Sequence, residues 1–184
     1  MHPRPLKHLA MLSVAAAACT IPPSIATAQT TPAATHPLPQ SLRVEHAETL
    51  ARLAMLTKRP GQVGVEARKA MDLFRRHAAR EEEFILPALT LLPVLADGKV
   101  TQDMSWAVAM ADRVRAEREQ IFQEHTQVTD ALNALVTAAI RAHDADAKEF
   151  AEAAAADSLN DVELLEPTVL LIGDYLRAKL PASR

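Results

Sequence analysis

Cysteine and glycine are scarce in this sequence, which contains one of the former and four of the latter among 184 residues. The one cysteine, Cys19, lies in an N-terminal segment that we expect to be removed. The mature chain can then form neither a disulfide nor a thiolate site, so any metal ligands must be histidine, aspartate or glutamate. No segment shows the alternation of a β-strand, and together with the few glycines this indicates a chain built of helices.

The sequence also lacks a basic stripe and an apolar run long enough to span a bilayer. Its 20 basic residues face 23 acidic ones, for a formal net charge of −3. These absences argue against nucleic acid as a partner and against a membrane-spanning helix. No feature of the sequence identifies a protein partner.

The first 28 residues have the layout of a secretory signal peptide. Arg4 and Lys7 precede an apolar run from Leu9 to Cys19, and Ala26-Thr27-Ala28 then offers a cleavage site. We therefore predict a periplasmic or secreted mature protein. Its formal net charge is −5, because cleavage removes these two basic residues and no acidic one.

Lipid attachment at Cys19 is the alternative to cleavage of this signal peptide. The sequence argues against it, because Ala16-Ala17-Ala18 lacks the larger aliphatic residue that lipoprotein signals usually carry.

Residues 29–40 are rich in threonine, proline and alanine and are expected to form a flexible leader. The rest, residues 41–181, is long enough for one domain with a sizeable core.

Four helical stretches are predicted after the leader. Periodicity and turn signals place them at about residues 41–58, 65–86, 101–142 and 144–180, with Asp144 suited to cap the last one. Short connections make neighbouring helices antiparallel, so the predicted fold is an all-α, up-down-up-down antiparallel four-helix bundle.

An internal repeat supports this prediction. At an offset of about 79 residues, Val44-Glu45-His46 lies over Gln123-Glu124-His125. At an offset of 80, the segment from His77 to Pro87 lies over that from Asp157 to Pro167, with proline over proline and Glu81 over Asp161. The bundle is therefore expected to consist of two repeated helical hairpins.

Polar side chains interrupt the apolar stripes of all four predicted helices. The stripe predicted for the fourth helix consists of Phe150, Ala154, Asp157, Asp161, Leu164, Thr168, Leu171 and Tyr175. Imidazoles and carboxylates do not belong in a core without a partner. In an antiparallel hairpin, residues equally far from the turn lie at the same height. The midpoint of His46 and His77 falls inside a predicted turn, and that of His125 and Asp157 falls beside one. The sequence therefore predicts that six ligand-type side chains meet in one region of the core: His46, His77, Glu81, His125, Asp157 and Asp161.

This combination of side chains is typical of a non-haem iron site. Imidazole and carboxylate ligands together suit iron or manganese, whereas an all-oxygen shell suits calcium and a thiolate shell suits zinc. A carboxylate from each hairpin can bridge two ions, and an unfilled position admits water, dioxygen or nitric oxide. The alternative for Asp157 and Asp161 is a solvated break in the fourth helix, because the sequence between them is a poor helix former.

Three segments of the chain resemble the hemerythrin-like, HHE cation-binding family: LRVEHAETLARL, HAAREEEFILPAL and QEHTQVTDAL. The family pattern has a histidine on the first helix, His-x-x-x-Glu-Glu before an apolar-Pro pair on the second, Glu-His on the third, and His-x-x-x-Glu on the fourth. The resemblance covers about residues 42–180. It implies that four residues are ligands of a di-iron centre: His46, His77, Glu81 and His125.

The fourth helix departs from the family pattern, because Asp157 stands where the family has histidine and Asp161 where it has glutamate. This departure leaves open whether the site holds one ion or two. A shell richer in carboxylates stabilises ferric iron, which argues against reversible dioxygen carriage.

By this resemblance we expect an exported protein that binds non-haem iron, with manganese as the alternative metal. It would bind or sense dioxygen or nitric oxide, or handle iron, rather than act as an enzyme. Two alternatives stay open. One is a di-iron oxidase or peroxidase, and the other is a metal-free bundle that serves as a scaffold and keeps a degenerate site.

Overall fold

Every regular element in residues 36–181, the part of the chain that the computed structural model describes, is helical. A 3₁₀ turn at Gln102–Ser105 leads into the longest helix, and a π-helical turn at Asp161–Leu165 joins the last two helices. The prediction of an all-α protein is confirmed for this range. The helices are α1 (Gln40–Leu56), α2 (Gly61–Phe84), α3 (Leu86–Leu89), α4 (Leu92–Ala96), α5 (Trp106–Ala142), α6 (Ala145–Asn160) and α7 (Glu166–Lys179).

The predicted signal peptide, residues 1–28, and most of the predicted leader, residues 29–40, lie outside the described residues. Within residues 36–181 no helix combines the length and the apolar character needed to cross a bilayer.

Local chemistry explains the ends of the long helices. The Asp144 side chain accepts a hydrogen bond of 3.1 Å from the Ala147 backbone N–H, which confirms its predicted role as the cap of α6. His143 has a φ of 54°, the left-handed conformation in which many helices end, and it closes α5. Helix α2 ends at Phe84, and Pro87 lies in the short helix α3 that follows.

The fourth predicted helix contains a π-helical turn that the sequence analysis did not foresee. Pro167 has no N–H to donate and its ring crowds the preceding turn of a helix, so a regular α-helix is disfavoured there. The helical turn just before this proline contains one extra residue. The Glu166 N–H therefore donates to the carbonyl of Asp161, five residues back.

The buried face of α6 and α7 is shifted by one residue from the predicted stripe. Leu164 and Leu171, expected in the core, are 61 % and 69 % exposed. Alanines occupy positions 151 and 153–156, so the apolar pattern of α6 does not single out one face. The residues buried instead include Ser158, Glu166, Val169, Ile172 and Leu176.

Two hydrophobic clusters form the core. Helix α5 packs against α2, α6 and α7, and α1 packs against α2. One cluster includes Leu53, Leu56, Phe74, Val128, Leu132 and Leu135, and the other includes Phe84, Leu86, Val114, Ile121, Val169 and Leu176. Along α2, α5 and the α6–α7 stretch, four buried polar residues come between the residues of the two clusters: Glu81, His125, Ser158 and Glu166. A polar layer therefore separates two apolar ones.

Gly173 allows α7 to approach α5 closely. A Cβ atom added to Gly173 would lie 2.2 Å from the Cβ of Ala111. Gly173→Ala should therefore lower the free energy of unfolding by about 1–3 kcal/mol in denaturant titrations, because the added methyl overpacks the interface. In an open helix the same change usually stabilises by up to roughly 1 kcal/mol.

The second change Ala111→Gly removes the methyl group that Gly173→Ala meets. The double variant should recover part of the lost stability. A Gly173→Ala protein as stable as the parent would contradict the close approach of the two helices.

Candidate metal centre

The carboxylate of Glu81 lies at the centre of the polar layer, and its residue is only 1 % exposed. Its Oε2 is 3.2 Å from His46 Nε2, and its Oε1 is 3.4 Å from His77 Nε2 and 3.5 Å from His125 Nε2. Helices α1, α2 and α5 thus each turn the same ring nitrogen of a histidine toward one carboxylate. His77 and Glu81 are four residues apart and share a face of α2.

The outer ring nitrogens of two of these histidines have partners of their own. His46 Nδ1 is 3.1 Å from Glu82 Oε1, and His125 Nδ1 is 3.3 Å from the hydroxyl of Ser158. Contacts of this kind set the tautomer and the direction of an imidazole in metal sites. They leave Nε2 of both rings free to face the centre.

The π-helical turn brings two further carboxylates to the same place. Asp161 and Glu166 are five residues apart, a spacing that in a regular α-helix would place them about 140° apart around the axis. The wider turn brings both toward the histidines. Glu166 Oε1 lies 3.4 Å from His125 Nε2, and Asp161 offers an oxygen within 4.8 Å of ligand atoms of His77, Glu81 and His125.

Several buried polar atoms of this group have no hydrogen bond of acceptable geometry among the described residues. They are both carboxylate oxygens of Glu81, Nε2 of His125 and Oε1 of Glu166. Burying such atoms without a partner is costly, and native proteins rarely do so. Two ligands on one ion at right angles to each other are roughly 3 Å apart, close to the 3.2–3.5 Å seen around Glu81. The donor atoms therefore fit a cation.

The protonation states of His77 and Glu81 are those that a metal ion requires. Burial lowers the pKa of His77 to about 4, and the neighbouring His125 and His46 act in the same direction. Burial alone would raise the pKa of Glu81, but the contact with His46 and the nearby His77 and His125 lower it below its ordinary value. At neutral pH His77 is thus a neutral imidazole and Glu81 a carboxylate.

Negative charge accumulates around this centre. Burial, Glu81 and Glu45 together raise the pKa of Asp161 to about 7. Burial and the carboxylate of Asp157 raise the pKa of Glu45 as well. No lysine or arginine in the described chain pairs with Glu81 or Asp161, so neither of these basic residues offsets the repulsion between the carboxylates. A bound cation would offset that repulsion.

The structure brings together five of the six residues that the sequence analysis selected. His46, His77, Glu81, His125 and Asp161 lie in one group, as the preceding distances show. The sixth, Asp157, was expected in the same layer but is exposed on α6, because the buried face passes through the next residue, Ser158.

Glu166 is the one residue of the site that the sequence analysis missed. It is 4 % exposed and lies outside the predicted stripe, which assumed a regular α-helix throughout. The internal repeat did contain a signal, since it aligns Glu166 with Leu86, which is fully buried. An acidic residue at the position of a core leucine indicates a functional role.

Comparison with known proteins adds no further information about this group. No protein-family model, curated protein or solved structure matches the chain at a significant level. A functional interpretation therefore depends on the residues of the site and on the sequence segments described above.

The pKa of Asp161 leads to a prediction for the protein freed of metal by chelation. Because the folded-state pKa, about 7, is above the ordinary 3.8, the ionised carboxylate costs stability as the pH rises through that window. Asp161→Asn should therefore be more stable than the parent at pH 8, by roughly 1–2 kcal/mol, and nearly equal to it at pH 4. Denaturant unfolding at both pH values measures the difference.

Glu149→Gln is the matched control, because it removes an exposed carboxylate of α6 that contacts none of the residues of this group. This variant should not reproduce the effect at pH 8. A constant difference between Asp161→Asn and the parent at both pH values would show that the Asp161 carboxylate is not destabilised by its surroundings.

Proposed function

We propose that this chain is an exported, hemerythrin-like protein that binds non-haem iron in the core of an up-down-up-down helical bundle. The observation that carries the proposal is the Glu81 carboxylate, buried without a hydrogen bond and surrounded by three Nε2 atoms. The N-terminal signal-like segment supports export. The three sequence segments typical of the family support the assignment to it.

Six residues would hold the metal: His46, His77, Glu81, His125, Asp161 and Glu166. Three imidazoles and three carboxylates suit iron, with manganese as the alternative, and exclude a site selective for calcium or built on thiolates. An iron ion bound here supplies a redox-active centre that can accept a small diatomic ligand such as dioxygen or nitric oxide. The same donors are enough for one ion, or for two ions that share carboxylates.

The protein surroundings of the site favour binding or sensing over turnover of a large substrate. Apolar clusters flank the polar layer on both sides, and Glu82 and Ser158 orient two of the imidazoles. The three carboxylates favour the more highly charged ferric ion. These features suit an iron centre that responds to oxidants or to diatomic ligands.

The first test is the metal content of purified protein from cells grown with iron. Glu81→Gln should retain less than about one tenth of the iron bound by the parent, because it neutralises the carboxylate that all three imidazoles face. His77→Ala should act in the same way. Elemental analysis gives the content, and thermal unfolding with and without chelator gives the stabilisation that bound metal provides.

Glu83→Gln is the matched control, because Glu83 is exposed on the same helix and contacts Arg113 rather than the centre. It should bind as much iron as the parent. A metal content near two per chain would indicate a di-iron site, and near one a single ion. A parent protein without metal would contradict the proposal and favour a scaffold, whereas sustained turnover of peroxide or ferrous iron would favour an oxidase or peroxidase.

A second test separates the site in the structure from the one expected on the fourth helix. Glu166→Gln should weaken iron binding at least tenfold, because Glu166 Oε1 lies 3.4 Å from His125 Nε2. Asp157→Asn, on the exposed face of α6, should leave the affinity unchanged. Competition with a chelator of known affinity measures both. The reverse result would mean that the fourth helix presents its predicted face to the metal.

A further inference from the structure

A pocket of about 320 Å³ lies between α5 and the stretch formed by α6 and the π-helical turn. His125 lines it from the side of the metal centre, and its Nε2 atom faces Glu81 and Glu166. Nothing in the proposed iron site uses this pocket. A molecule bound in this pocket would lie one imidazole ring away from the proposed metal.

The walls of the pocket are largely apolar and exposed. Phe122 is 54 % and Leu159 53 % exposed, and Val162 of the π-helical turn is half-buried between them and the core. Large apolar side chains grouped around a concave surface are typical of a site that a ligand covers. An apolar cavity of roughly 150 Å³ is enough for benzene, so this one has room for a single aromatic ring with a substituent.

The polar groups of the pocket specify what that substituent is. Asp130 and Glu163 line the same pocket, and neither forms an ion pair within residues 36–181. Carboxylates only accept hydrogen bonds, and they repel an anion. The hydroxyl of Thr126 already donates to the Phe122 carbonyl, which leaves its oxygen as an acceptor. The pocket thus offers acceptors to a ligand that carries a hydrogen-bond donor and no negative charge.

We propose that this pocket binds an uncharged molecule with a single aromatic ring and a hydroxyl donor, the chemistry of a phenol. The ring would pack on Phe122, Leu159 and Val162, and the donor would bond to Asp130, Glu163 or Thr126. Binding does not require the metal, so the inference goes beyond the proposed function and stands apart from it.

Titration with phenol tests the pocket, by calorimetry or ligand-observed NMR on the purified protein as isolated and again after chelation. We expect saturable binding in both states, and no binding of benzoate, which has the same ring but a negative charge. Val162→Trp fills the cavity and should weaken phenol binding at least tenfold. Leu164→Trp is the control, because it adds the same side chain on an exposed position of the same turn.

Phe122→Ala gives a second, gentler variant, since this side chain is exposed and contributes a wall rather than core packing. It should weaken phenol binding roughly three- to tenfold. Absence of saturable binding, equal binding of benzoate, or unchanged affinity in Val162→Trp would each overturn the proposal. So would a dimer of the parent that dissociates in Phe122→Ala, because a second copy would then be the occupant.

Discussion

The centre of this molecule depends on one buried carboxylate. Glu81 is held at 1 % exposure by apolar clusters on either side, and the three imidazoles around it are the groups that keep it ionised. A neutral imidazole such as that of His77 offsets only part of the cost of burying a negative charge. A positive ion between these donors would offset that cost. The contacts that are unfavourable in the protein alone would then be those of a metal ion with its ligands.

The helices around Glu81 bring polar side chains to this buried layer in different ways. Helix α2 supplies two candidate ligands from one face, because His77 and Glu81 are four residues apart, and α1 and α5 each supply one histidine with a polar partner behind it. The last stretch has no histidine and instead uses a π-helical turn to direct Asp161 and Glu166 to the same side. The irregular turn therefore lies where the last stretch contributes its carboxylates to the candidate site, and π-helical turns are frequent at functional sites.

The pocket beside His125 and the metal centre share this turn. Val162 and Glu163 line the pocket while Asp161 and Glu166, on either side of them, approach the histidines. A ligand in the pocket and an ion in the centre would thus contact neighbouring residues of one short, irregular segment. Any conformational change of the π-helical turn would therefore move residues of both the pocket and the candidate metal centre.

The sequence by itself determined the helical class, the cap at Asp144 and most of the site. Helical spacing and distance from the turns identify His46, His77, Glu81 and His125, because these properties are local and do not depend on how the helices pack. Only the tertiary structure decided the face of the last stretch, where alanine on several sides makes the periodicity uninformative. Pro167 and the packing of α7 against α5 select a wider turn there. That turn buries Glu166, and the shifted buried face of α6 leaves Asp157 in solvent. Contacts between helices thus override a regular repeat when the side chains do not specify one.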